Sequence, residues 1–330
     1  MSEFDHEDAS DEALHRTHPV AVVAAASAIT ALWVAQRARS AERQYPPIGQ
    51  IVEVDGVDLH YIERGEGPPV VLLHGNGVSL QDFIASGLVD TLARRHRVIA
   101  FDRPGFGFSA RPRSRRWTPQ AQAALLRQAL TRLGVEQPVI VGHSFGTIVA
   151  LAMAIGAPDA VSGLVLVSGY YYPTKRPDVW LNLAGTLPLL GDMLRYTALP
   201  LLWRLALKRA IGTLFAPARA PDDYLERVPR EMIVRPSQIR AASEDATFMV
   251  PAVQKLAPFY SHLSMPVTLV AGKGDLVVDQ ENQSRCLHRD IAHSTLHVVA
   301  GAGHMVHHSD MAAVASAVGA MTGGGPYLIS

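Results

Sequence analysis

The order of apolar and polar positions divides the chain into stretches with different rhythms. Residues 1–18 set Glu3, Asp5, Glu7, Asp8, Asp11 and Glu12 against a single Arg16. With so little apolar side chain they are expected to be a disordered acidic tail. Pro19–Ala35 then runs 17 residues without a charge. As a helix rising about 1.5 Å per residue it would be about 25 Å long, the short end of a membrane span. From Gly49 the rhythm shortens. Gln50–Val54 and Leu59–Glu63 flank Asp55-Gly56, a hairpin-turn pair. Pro69–Leu73, Arg97–Phe101, Pro138–Val141, Val161–Val167, Val267–Ala271 and Thr295–Val299 read as short buried strands.

Helical spacing fills the gaps. Leu80, Phe83, Ile84, Leu88 and Leu92 recur on one face. Leu125, Leu126, Leu130 and Leu133 follow Thr118 as N-cap with Pro119 in the first turn. Thr147–Ile155 reads as a helix, and Ser309 can cap a last one, Asp310–Met321. Strands alternating with helices predict a mostly parallel sheet covered on both faces, an α/β fold. The alternation stops between Tyr172 and Thr247, where Trp180–Leu190 and Leu201–Phe215 are helical and apolar. That stretch is expected to be an inserted helical cap. The domain reading is therefore a tail at 1–18, an anchoring helix at 19–35, a core at 48–171 and 248–322, and a cap at 172–247.

Composition narrows the function classes. Hydrophobic residues at 48% against 18% charged allow a large core. Lys+Arg and Asp+Glu are 30 each, which argues against a globally basic nucleic-acid binder. Cys286 is the one cysteine, so neither an intramolecular disulfide nor a cysteine-built zinc site is available.

The sharpest chemical signal is Gly142-His143-Ser144-Phe145-Gly146, a G-x-S-x-G sequence between a strand and a helix. A tight turn there projects the Ser144 hydroxyl above the sheet edge. Glycines on both sides avoid clashes, and the helix N-terminus lies beneath a developing oxyanion. A serine needs a base. Among 14 histidines, His304 in Gly301-Ala302-Gly303-His304 stands just after the last strand. Asp275, in Gly272-Lys273-Gly274-Asp275 past the strand Val267–Ala271, can hold its tautomer. Asp279 is the alternative acid, expected instead at a helix start. The backbone N–H groups of Asn76, in His74-Gly75-Asn76, and Phe145 would form the oxyanion hole. His307 and His308 are expected to be loop or helix-start residues. No carboxylate lies within their cluster at ligand spacing, so no metal site is expected.

These residues, with Asp102-Arg103-Pro104-Gly105-Phe106-Gly107-Phe108-Ser109 and the order Ser, Asp, His, resemble the α/β-hydrolase fold family, in particular its lidded serine hydrolases. The resemblance spans roughly residues 48–322. It implies an eight-stranded, mostly parallel sheet with helices on both faces, a helical cap after the sixth strand, and a D-x-P-G-x-G-x-S turn shaping the pocket floor. Family members that are haloalkane dehalogenases or epoxide hydrolases carry an aspartate nucleophile, and Ser144 argues against both. The expected activity is hydrolysis of a carboxylic ester, or a related acyl bond, of a small and largely apolar substrate. It would proceed through an acyl-enzyme on Ser144, with no metal or organic cofactor. C–C bond hydrolysis and cofactor-free perhydrolysis use the same triad and stay open, as does a non-catalytic binding protein of this fold. The apolar cap residues Trp180, Leu187, Leu189, Leu190, Leu194 and Trp203 either line an apolar pocket or pack the cap itself.

Three readings of residues 19–35 compete: a single membrane anchor, which is favoured, a helix packed on the body or on a second copy, and a cleaved signal peptide. Arg37, Arg39 and Arg43 after the segment outnumber Arg16 before it. For a single-pass anchor the positive-inside tendency then puts the catalytic body in the cytoplasm. Arg111, Arg113, Arg115 and Arg116 form a basic run expected to be a solvated loop, or alternatively a contact for anionic headgroups.

Overall fold

The computed structural model describes residues 7–175, 185–187, 189–324 and 327. Eight strands form one sheet in the order β1-β2-β4-β3-β5-β6-β7-β8. They are β1 (Gln50–Val54), β2 (Val57–Arg64), β3 (Pro69–Leu73), β4 (Arg97–Phe101), β5 (Val139–His143), β6 (Gly163–Val167), β7 (Val267–Gly272) and β8 (Thr295–Val299). The first two pairings, β1–β2 and β2–β4, are antiparallel, and every later one is parallel. The hairpin turns at Asp55 and Gly56, both with positive φ (51° and 72°), as a two-residue turn requires.

Burial on both faces explains the strand composition. Val71, Leu73, Ile99, Phe101 and Ile140 alternate onto one core with α2 (Pro119–Arg132) and α3 (Phe145–Gly156). Val70, Leu72, Val98, Ala100 and Val141 alternate onto the other, with Leu88, Leu92, Val314 and Val318. Thr118 caps α2 as predicted, its hydroxyl accepting from the Ala121 N–H at 3.2 Å. The last helix, Met311–Met321, is capped by Asp310 rather than Ser309. The Asp310 carboxylate accepts from the Ala313 N–H at 3.0 Å, whereas Ser309 donates back to Met305.

Between β6 and β7 stands the cap, with α4 (Leu190–Tyr196), α5 (Ala198–Phe215) and α6 (Pro236–Leu256). The expected helix Trp180–Leu190 lies largely outside the described residues. Residue 247, the expected cap boundary, falls inside α6, which is continuous because it packs on the cap and on the core helices at once.

The N-terminal expectation changes most. Helix α1 runs Glu7–Gln44, so the expected disordered tail is helical from Glu7 onward, and the expected 19–35 helix continues well past Ala35. Ala, Glu, Leu and Arg, all strong helix formers, make up half of residues 7–18 and two thirds of residues 36–44. The stretch Ala21–Gln44 is long and apolar enough to cross a membrane. Its lower half also rests on the cap. Ser27, Ala31, Val34, Ala38, Ala41 and Tyr45 are at least half-covered and recur every three or four residues, a seam of mostly small side chains. Val34 and Ala41 are fully buried. Glu42 pairs with Arg235 at 2.8 Å, and Arg37 with Glu231 at 3.7 Å.

A charge forced into that seam should free the helix without disturbing the sheet. In Ala41→Arg, tryptic cleavage after Arg39 and Arg43 is expected to accelerate about tenfold for each 1.4 kcal/mol of docking lost. The main unfolding transition should stay within about 0.5 kcal/mol of wild type, since the change lies outside the core.

Candidate active site

Strand β5 leads straight into α3, and Ser144 is the residue at the bend, with φ 52° and ψ −119°. This is a conformation L-residues avoid, and it persists where the surroundings enforce it. The enforcement is visible in the flanking glycines. A Cβ on Gly146 would meet the Leu73 carbonyl oxygen at 2.0 Å, and one on Gly142 would meet the Gly146 oxygen at 2.7 Å. The Thr147 hydroxyl and N–H both donate to the Ser144 carbonyl, at 2.6 and 3.0 Å, closing the turn.

Asp275 and His304 are brought together. The His304 ring Nδ1 lies 2.8 Å from Asp275 Oδ2, and both side chains are almost wholly buried. Asp275 Oδ1 accepts from the Val277 and Val278 N–H groups at 2.8 and 2.9 Å, so the carboxylate is fixed from both sides. Nδ1–H therefore donates to the acid and leaves Nε2 as the basic nitrogen. Asp279 instead caps a turn, accepting from the Glu281 N–H and the Asn282 amide. Among the described residues no hydrogen bond joins the Ser144 hydroxyl to the His304 ring. The two meet through His143, whose Nε2–H donates to the His304 carbonyl at 3.1 Å and whose ring centroid lies 5.0 Å from that of His304. The cap closes over the pair, and the His304 N–H donates to the Leu214 carbonyl of α5 at 3.0 Å.

The two expected oxyanion donors flank the serine. Phe145 is the first residue of α3, so its N–H has no acceptor within the helix and lies at the positive end of the helix dipole. The loop carrying Asn76 runs against Ser144, where a Cβ on Gly75 would lie 3.2 Å from Ser144 Cβ. The Gly75 carbonyl faces away, accepting from Arg103 Nη2 at 3.0 Å and from His74 Nδ1 at 2.8 Å. Across a trans peptide the Asn76 N–H then points to the opposite side. The Asn76 amide donates to the Ala242 carbonyl of α6 at 3.0 Å, while its Oδ1 is buried without a partner.

Sequence reading missed what holds this loop. Arg103 is fully buried. Its Nε donates to the His74 carbonyl at 2.9 Å, its N–H to His74 Nε2 at 2.9 Å, and its Nη1 to Asp245 of α6 at 2.6 Å and Gln122 at 2.9 Å. Asp245 also accepts from Arg111 and Gln122, both at 3.0 Å. Arg111, expected in a solvated loop, is thus buried and doubly paired, with Asp245 and Glu244. A basic run carries no sign of a buried carboxylate more than a hundred positions away.

A second cluster lies beside His143, whose ring centroid is 4.3 Å from that of His307. Asp82 accepts from His307 Nε2 at 2.8 Å, His308 Nε2 at 2.9 Å and the Tyr224 hydroxyl at 3.0 Å. The carboxylate that spacing left out of the histidine cluster is supplied from across the fold, and His307 and His308 sit in a short helical turn, Val306–Ser309. Burial alone would raise the Asp82 carboxyl, but the imidazole donors reverse that and hold it well below the usual range. Burial holds His307 and His143 below the ordinary imidazole value. Asp82, His143 and His307 each place a ligand atom within 4.8 Å of the others. The 2.8 Å between Asp82 and His307 is nonetheless a hydrogen-bond distance. Two ligands of a tetrahedral ion with bonds of about 2 Å stand about 3.3 Å apart, so a shared proton fits this gap better than a metal.

A cavity of about 300 Å³ between the end of α1, the 102–109 turn and the cap is lined by Tyr45, Ile48, His60, Phe108, Val228 and Met232. It touches neither Ser144 nor His304.

The description "alpha/beta hydrolase fold" belongs to the family model that matches residues 68–310. An uncharacterized protein of Mycobacterium tuberculosis is 30% identical over 279 residues, covering 81% of this chain and 79% of its own. A 2-hydroxymuconate semialdehyde hydrolase of a Pseudomonas species is 35% identical over 146 residues, covering 43% and 52%. Among solved structures, a membrane phospholipase A superposes with a TM-score of 0.64 at 21% identity, covering 94% of this chain and 97% of its own.

Two stability outcomes follow from the buried network. Asp245→Ala strands two buried guanidinium groups and is expected to cost about 3–5 kcal/mol by denaturant unfolding, with Asp245→Asn costing less. Burial first, then the Arg103 charge, lowers His74 from 6.5 to about 4. The unfolded chain therefore binds a proton at this position that the folded chain refuses, so stability falls as pH drops through the window from 6.5 to 4. The contribution of His74 reaches about 3 kcal/mol at the acid end. His74→Gln should show a shallower fall in melting temperature over that window.

Proposed function

The chain belongs to the alpha/beta hydrolase fold family, and on that footing we propose that it is a serine hydrolase acting on carboxylic esters or related acyl compounds. The observation that carries the reading is the buried 2.8 Å contact between His304 Nδ1 and Asp275, set behind a serine held at φ 52°. His304 Nε2 takes the Ser144 proton as Oγ attacks the carbonyl carbon. The N–H groups of Phe145 and Asn76 receive the oxyanion. Asp275 stabilises the imidazolium that forms and fixes its orientation. His304 then protonates the leaving alkoxide, and water, deprotonated by the same ring, releases the acid and restores Ser144. The serine–histidine hydrogen bond forms as substrate orders the site, as apo sites of this kind commonly require. This chemistry calls on no metal or organic cofactor.

The uncharged stretch of α1 anchors the chain in a membrane as a single pass, supported by its length and apolarity. The substrate is a small, largely apolar molecule. Hydrolysis of a C–C bond is the second reading, favoured by the likeness to the 2-hydroxymuconate semialdehyde hydrolase over 146 residues.

Ser144→Ala should lose about 10⁴-fold or more in kcat on p-nitrophenyl esters while keeping its circular dichroism spectrum. A fluorophosphonate probe should label wild type and not the variant. Wild-type labelling with no ester turnover, but cleavage of a vinylogous diketone, would select the second reading; no labelling at all would point to a binding protein.

A further inference from the structure

Several apolar residues of the cap face solvent rather than the site. Leu189 is 84% exposed, Leu205 82%, Leu202 58% and Met193 54%, with Leu190 and Leu201 also exposed. They lie on α5 and on or just before α4, the helices against and beside which α1 runs. The opposite face of α5 is ordinary core: Leu207, Ile211 and Phe215 are buried, and Leu214 accepts from His304. The C-terminal end of α5 therefore sits at His304, and its N-terminal end lies about 25 Å away along the helix.

Contacts along α1 give the level of that far end. Glu42 meets Arg235, Arg37 meets Glu231, and the Trp33 ring lies 5.3 Å from the guanidinium of Arg204 on α5 and 5.7 Å from that of Arg37. Trp33 and Arg204 are thus side by side. Beyond Trp33, α1 is uncharged back to Pro19, about 21 Å at 1.5 Å per residue. Leu201 and Leu202 stand about 3–5 Å further out along α5 than Arg204, Leu205 beside it, and Lys208 and Arg209 about 6–8 Å further in. The exposed face of α5 is thus apolar at its outer end and basic one turn inward. A tryptophan with basic side chains just inside it is the arrangement found at a membrane–water interface.

We propose that this shoulder of the cap, Leu189, Leu190, Met193, Leu201, Leu202 and Leu205, is seated in the phospholipid leaflet that α1 enters, with Trp33, Lys208 and Arg209 at headgroup level. The proposal rests on the reading of α1 as a membrane anchor. Immersing the uncharged part of α1 brings the bilayer surface down to Trp33, and helices at that level must meet lipid. Six exposed apolar side chains removed from water supply the attraction. Lys208 and Arg209 complement anionic phosphates.

The test uses the full chain, carrying Cys286→Ser, in vesicles of phosphatidylcholine and phosphatidylglycerol. An environment-sensitive fluorophore is placed in turn at Leu205→Cys, Met193→Cys, Ile29→Cys on the anchor and Glu136→Cys in the loop before β5, at the opposite end of that strand from Ser144, with spin-labelled lipids as quenchers. Quenching of at least twofold by shallow labels at 205 and 193, by deep labels at 29, and none at 136 is the expected result. Met193 serves as the second position if labelling at 205 impairs folding. Quenching at 29 with cap positions no more quenched than 136 overturns the proposal and leaves the anchor standing. Absence of quenching at 29 overturns the anchor reading and this proposal with it.

Discussion

One buried ion pair connects the parts on which the site depends. Arg103 and Asp245 meet at 2.6 Å with neither side chain exposed. A charge so placed is tolerated only when all its donors are occupied, and Arg103 spreads them over the His74 and Gly75 carbonyls, Gln122 and Asp245. The same guanidinium that neutralises a cap carboxylate thereby aims the peptide whose N–H is proposed to meet the oxyanion. Core, oxyanion loop and α6 cannot shift independently without uncovering a charge.

The sheet was readable because its rules are local. Four of the eight expected strands match the observed ends, and the rest differ by one to three residues. Continuous Val and Leu runs flanked by glycine have few other ways to bury themselves. The elbow at Ser144 and the Asp275–His304 contact were legible for a related reason, since both sit at strand ends in one crevice, where topology brings distant residues together.

What stayed hidden depends on partners far away in sequence. Arg111 sits in a run of surface-like arginines, and only the return of α6 buries it against Asp245. His307 and His308, expected as loop or helix-start residues, do sit in a short helical turn, but only Asp82, 225 and 226 positions away, makes them part of a buried network. The exposed leucines of the cap were expected inside a pocket or between helices. Amphipathic spacing on α5 names a buried face correctly but says nothing about how apolar the other face will be. From Glu7 the acidic stretch is helical, because Glu and Ala favour helix as well as solvent.

The bond from the His304 N–H to the Leu214 carbonyl ties the imidazole loop to the roof above it. Lifting the roof to admit a molecule would strip that loop of a tether and wet the ring. A molecule that reseals the roof restores both. For the proton transfer proposed at His304, readiness and exclusion of bulk solvent would then arrive in the same movement.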